Sequence, residues 1–259
     1  FQSLGHTICP VPMDDAGMDR KALEVSGAQI AYVMPAHQFP VGTVMPMKRR
    51  LSLLAWAARE EGRYLLEDDY DSEFRYKGKP IPALQGFDNA QRVIYLGTFS
   101  RAIAPSIRVS YMVLPESLMP QYLRSGKNFS ATVSKTDQKI LEVFLREGYF
   151  ERHLNRRRAL YKTKHDLLMR QLKAFQGICT VSGEHAGVHV LLKLTNGLSG
   201  REAVRLAAGA GIRVYCLKDY YIRETETRDD TVMIGYAAMP EEEIPKACEA
   251  LRKAWTHIG

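Results

Sequence analysis

The sequence predicts an α/β protein, a mostly parallel, helix-covered sheet followed by a smaller C-terminal α+β unit. Three observations predict it. The first half carries short apolar runs, rich in branched and aromatic residues, that end on polar or turn residues as buried strands do. Two of these runs flank an amphipathic helical stretch, which is the spacing of a βαβ unit and so of a parallel sheet. Beyond about residue 175 the pattern changes to strands and helices in another order.

The first strand is expected in "IAYVMPAH" (Ile30–His37). The helix follows in "PMKRRLSLLAWAAREEG", where Met47, Leu51, Leu54, Ala55 and Ala58 recur at helical spacing and Gly62 is the stop. Further strands are expected in "RYLLEDDY" (Arg63–Tyr70), "VIYLGTF" (Val93–Phe99) and "VSYMVLP" (Val109–Pro115). Residues from about Lys135 to Lys173 read as helical, with a break near Gly148. "GVHVLLKL" (Gly187–Leu194) and "GIRVYCL" (Gly211–Leu217) are strands flanking the helix "SGREAVRLAAGAG". "TVMIGYA" (Thr231–Ala237) is a third strand, and "PEEEIPKACEALRKAWTHI" a closing amphipathic helix. The expected organisation is a partial large domain over 1–135, connecting helices over 136–175 and a small domain over 176–259.

A hydrophobic share of 46% and a charged share of 25% are those of an ordinary soluble globular chain. No apolar run approaches the roughly 18 residues of a membrane span. The opening "FQSLGHTICPVPMDDAG" has neither the basic start nor the long apolar stretch of a secretion signal. Cys9, Cys179, Cys216 and Cys248 are scattered without metal-type spacing, so a reducing cytoplasm is the expected location. The net charge of +7 sits largely in "ERHLNRRRALYKTKHD" (Glu151–Asp166). Leu154, Tyr161 and Leu168 fall on one helical face there, so the bases read as a solvated face rather than a DNA-contact surface. The chain does not begin with methionine and reads as a piece of a longer polypeptide.

In parallel sheets ligands collect at the carboxyl ends of strands, which directs attention to "LLEDDYDSEF". A calcium loop from Asp69 fails, because Phe74 stands where a glycine is required. A magnesium site at Asp69 and Asp71 is a weaker alternative, and no metal is expected; Asp71 and Glu73 read as solvated acids. Asp68 and Tyr70 share a strand face, with Asp69 opposite. A carboxylate and a phenol projecting together suit a protonated ring nitrogen and a ring hydroxyl, the pair that pyridoxal phosphate needs. In "LGTFSRAIAPSIRVSY" (Leu96–Tyr111), Thr98 and Ser100 offer hydroxyls and Arg108 a bidentate clamp for a phosphate. Taken alone that stretch is an ordinary turn with an exposed arginine.

Together these segments resemble the aminotransferase-like domain of MocR-type regulators, a branch of the GntR transcription factors, itself similar to fold-type I, class I/II pyridoxal-phosphate aminotransferases. The likeness rests on "MPAHQFPVGTVMPMKRRLSLLAWA" (Met34–Ala57), "EDDYDSEFRY" (Glu67–Tyr76), "IPALQGFD" (Ile81–Asp88), "VIYLGTFSRAIAPSIRVSYMVLP" (Val93–Pro115) and "GYFERHLNRRRALYKTKHDLL" (Gly148–Leu168). The resemblance implies that residues 1–135 are part of a cofactor-binding domain. It implies that Asp68 pairs with the pyridine nitrogen, Tyr70 with the ring hydroxyl, and Thr98, Ser100 and Arg108 with the phosphate. "AHQFPVG" would line the cofactor, with His37 either touching it or serving as a satisfied strand-end histidine. Arg213, Arg223 and Arg228 are candidates for a substrate carboxylate. The resemblance further implies a small amino compound as effector, a homodimer, and DNA contact only through an N-terminal winged helix expected to lie outside this chain.

One departure is chemical. The family carries its Schiff-base lysine where this chain has Arg101, and an arginine is not deprotonated in proteins and offers no amine. The cofactor is therefore expected to be held without a covalent link, or lost. An aminotransferase of amino-acid metabolism is the alternative reading, and Arg101 argues against its turnover. A magnesium-dependent transferase is a third.

Overall fold

The computed structural model describes residues 1–259 apart from 76–81, 127, 129, 131, 185, 223–228 and 257–259. The chain divides into two compact units. The first comprises Phe1–Gln38, Thr43–Glu73 and Lys79–Arg157; the second Phe39–Gly42, Phe74–Gly78 and Arg158–Gly259.

The first unit opens with a short antiparallel pair, β1 (Met13–Asp14) and β2 (Gly17–Met18), then α1 (Arg20–Val25), whose start is capped by Asp19 accepting from the Ala22 amide at 2.7 Å. Helix α1 was not expected from the sequence. Strands β3 (Ile30–Val33), β4 (Tyr64–Asp69) and β5 (Val93–Thr98) run parallel, and β6 (Ser110–Val113) closes the order β3-β4-β5-β6 antiparallel to β5. The predicted βαβ unit is present as β3, α2 (Met47–Arg59) and β4.

Helix α2 buries a different face from the predicted one. Leu53, Trp56 and Ala57 are fully buried against Leu23, Val33, Leu65 and Val93, whereas Leu51 is 51% exposed. The reason is Arg50, also fully buried, whose guanidinium donates to the carbonyls of Met45, Pro82 and Pro35 at 2.9, 2.8 and 2.6 Å. Three carbonyl partners offset the cost of burying the charge, so an arginine occupies the core stripe. Strand β6, expected to be buried, is exposed at every position, as an edge strand allows.

Short α3 (Phe99–Ala102) follows β5 directly; α4 (Met119–Gly126), α5 (Lys135–Arg146) and α6 (Tyr149–Leu172) complete the helical stretch. The predicted break falls at Gly148, whose φ of 69° a glycine adopts without strain. On α6, Leu154, Tyr161 and Leu168 are buried and Arg152, Arg156, Arg158 and Lys162 exposed, as the spacing predicts. Lys164 is the exception: it is buried and donates to the Ala237 carbonyl at 2.8 Å.

The second unit is an antiparallel sheet, order β7-β8-β10-β9, of β7 (Cys179–Ser182), β8 (His189–Leu194), β9 (Tyr215–Cys216) and β10 (Thr231–Gly235). Helices α7 (Gly200–Gly209) and α8 (Ile244–Thr256) pack on it around fully buried Val190, Leu192, Val232 and Trp255. A capping box between Ser199 and Glu202 starts α7, and the Trp255 indole donates to the Ala203 carbonyl at 3.0 Å. Strand β7 was not anticipated.

Candidate functional site

Because β3, β4 and β5 are parallel, their carboxyl ends gather at one edge of the first unit's sheet. Register places Asp68 beside Leu96 and Asp69 beside Gly97, so the two carboxylates leave β4 on opposite faces. Asp68 shares its face with Tyr32 of β3, whose hydroxyl donates to Asp68 Oδ2. Burial and that neighbouring carboxylate push the Tyr32 phenol well above its ordinary pKa. On the other face Asp69 accepts from the Ser72 amide and hydroxyl at 3.1 and 2.7 Å and from the Tyr95 hydroxyl at 2.7 Å. Asp69 is thus a turn-closing residue.

Asp71 is not a solvated acid. It is 1% exposed and its Oδ2 lies 2.8 Å from Nδ1 of His37, also 1% exposed. The Tyr70 hydroxyl lies 3.0 Å from the same nitrogen, and the two rings are near-parallel with centroids 6.0 Å apart. Asp69 and Asp71 therefore have different partners and do not converge as a metal pair would. Burial, and then Asp71, raise the Tyr70 pKa far above that of a free phenol; Arg101 opposes this, and Asp68 and Asp69 reinforce it. Tyr70 is consequently a neutral hydrogen-bond donor at any physiological pH, within electrostatic reach of both Asp68 and Arg101.

The end of β5 supplies the second half. Thr98 caps α3, its hydroxyl accepting from the Ser100 amide at 3.2 Å and from the Ser110 hydroxyl at 3.3 Å. Arg101 and Arg108 are exposed, and neither makes an ion pair among the described residues. Arg108 has φ 49° and ψ 32°, a left-handed conformation that costs a non-glycine residue roughly 1–2 kcal/mol. A glycine would relax there, so the arginine side chain has a reason to be present. Beneath this loop the Tyr111 ring lies across Gly97, where an added Cβ would come within 2.3 Å of the ring, and packs 5.3 Å from Phe99.

Asp68, Tyr70, His37, Thr98, Ser100, Arg101 and Arg108 all belong to the first unit. Arg213, in the second, is exposed and lies over the Tyr215 ring at 5.2 Å; Arg223 and Arg228 lie outside the described residues. Sequence reasoning missed Tyr32, Asp71 and Tyr111. The glycine within β5 was the one available signal, marking a strand position where something approaches closely.

The sequence pattern described as aminotransferase class I and II matches residues 33–251. The chain belongs to that family. It is 39% identical over its whole length to the HTH-type transcriptional regulator YhdI of Bacillus subtilis, covering 55% of that protein. It is 31% identical to the probable rhizopine catabolism regulatory protein MocR of Rhizobium meliloti, over 98% of this chain and 51% of that one. The chain thus spans about half the length of these regulators, and the shared stretch is an aminotransferase-like domain. Among solved structures it matches the kynurenine aminotransferase of Pyrococcus horikoshii, in complex with PMP, at 25% identity and a TM-score of 0.83, over 95% of this chain and 63% of that one. The fold is that of the fold-type I aminotransferases, a pyridoxal-phosphate-dependent family. Among the described residues no helix is long and apolar enough to cross a membrane.

Proposed function

We propose that this chain is the pyridoxal-phosphate-binding, effector-sensing domain of a MocR/GntR-type transcriptional regulator. The observation that carries this reading is the donor set at the strand ends of the first unit. Asp68 supplies the carboxylate for a protonated ring nitrogen, and Tyr70 a phenol that stays neutral for the ring oxygen. Thr98 and Ser100 supply hydroxyls, and strained Arg108 a guanidinium, for the phosphate. These donors fit the group in charge and in hydrogen-bonding sense. When bound, pyridoxal phosphate supplies an electron-withdrawing ring and an aldehyde that condenses with amines.

Arg101 occupies the position from which the family's lysine would link to that aldehyde. A guanidinium keeps its proton and its charge, so here Arg101 attracts the phosphate without bonding to the cofactor. Transamination is not expected. In the longer protein an amino compound would meet the held aldehyde, and DNA contact would belong to another domain; a cytoplasmic homodimer is part of the same reading. Arg101→Lys tests it. The unaltered chain should bind pyridoxal phosphate with no borohydride-reducible adduct, and the lysine variant should form one at residue 101. A reducible adduct of equal yield on the unaltered chain would contradict the assignment.

A further inference from the structure

We infer that His37 and Asp71 are positioning residues for Tyr70, turning its hydroxyl proton away from the imidazole and toward the ring oxygen of the cofactor; the inference rests on the reading above. The two residues close the loops after neighbouring strands β3 and β4 and are 34 positions apart in sequence. A carboxylate only accepts, so the nitrogen 2.8 Å from Asp71 must carry a hydrogen, whether the imidazole is neutral or charged. That nitrogen has then no lone pair for a second donor. The Tyr70 oxygen, 3.0 Å away, meets Nδ1–H with its own lone pair, and its O–H is directed elsewhere. With a bare Nδ1 the phenol would donate inward and be lost to a ligand.

The raised pKa of Tyr70 supports the same role, since the proton being aimed is never released near neutrality. Burial adds rigidity. His37 and Asp71 are each 1% exposed, so water does not compete for the contact that fixes the imidazole.

The test compares pyridoxal phosphate with 3-deoxypyridoxal 5'-phosphate, which lacks the ring oxygen, by equilibrium binding to the 259-residue chain. The unaltered chain should prefer the parent compound about tenfold, the worth of one well-placed hydrogen bond. Tyr70→Phe and His37→Leu should erase that preference, while His37→Asn, which keeps an N–H near the Nδ1 position, should retain it. Equal weakening of both ligands by His37→Leu would reduce His37 to packing and overturn the inference. Because His37→Leu leaves a buried carboxylate exposed to misfolding, a second measurement uses the unaltered chain without ligand. Long-range 1H–15N correlation should find the proton on Nδ1 of His37; a proton on Nε2 alone overturns the inference while leaving the cofactor reading intact. Failure of the unaltered chain to bind either compound overturns the cofactor reading, and this inference with it.

Discussion

The two units handle polar groups in opposite ways. In the second unit, polar side chains largely serve the backbone: Ser199 and Glu202 cap α7, and Trp255, Tyr236 and the buried Lys164 donate to the carbonyls of Ala203, Gly187 and Ala237. Its core is mostly aliphatic around Trp255, Phe175 and Tyr236. In the first unit the sheet's carboxyl edge concentrates carboxylates, phenols and an imidazole within a few residues of one another, several of them buried. A fold gains no stability from grouping like charges. Such grouping is the pattern expected of a ligand-binding region, which is the reading proposed above.

That contrast can be broken or sharpened by measurement. The largest expected effect is in the second unit, where Trp255→Ala should cost about 3–5 kcal/mol in urea unfolding, as large core truncations do. A loss below about 1 kcal/mol would mean its core is not packed as described. Next, Gly97→Ala should destabilise the first unit by about 1–3 kcal/mol, because the new Cβ meets the Tyr111 ring. Tyr111→Ala in the same chain should relieve most of that loss. Undiminished loss in the double variant would show that the ring is not the obstacle. Smaller still, Ser199→Ala should cost about 1 kcal/mol by removing the α7 cap.

The pH dependence of two glutamates provides the finest comparison. Glu67, buried in the first unit, has its pKa raised by burial despite accepting from the Leu84 and Gln85 amides at 2.7 and 2.9 Å. The folded state there binds its proton more tightly than the unfolded chain. Stability should therefore fall as pH rises from the ordinary value of 4.5 through the raised one. Glu202 has its pKa lowered, chiefly by the Ser199 amide, so its contribution is intact above 4.5 and lost as pH falls through the depressed value. Urea midpoints of Glu67→Gln and Glu202→Gln against pH should lose slopes of opposite sign. Slopes of the same sign would contradict the difference between the units.

How much of this was legible depended on whether a residue's role was local. The strand ends and the break at Gly148 follow from period and from single-residue conformational limits, and both were readable. The face of α2 was not, because Arg50 reaches its carbonyl partners only after distant segments at Pro35 and Pro82 have folded around it. Asp71 failed for the same reason. An acid in a charged run looks solvated until a histidine 34 residues earlier is brought to it. Tyr32 likewise becomes part of the site only through the β3–β4 register. Long-range polar pairing leaves no periodic trace in a sequence.

The central claim is that the carboxylate of Asp68 faces a protonated ring nitrogen. Its most direct test is equilibrium binding of pyridoxal phosphate to the unaltered chain and to Asp68→Asn, which keeps the shape and removes the charge. A charge-assisted hydrogen bond predicts a loss of roughly tenfold to a hundredfold in affinity. Equal affinity in the two chains would contradict it.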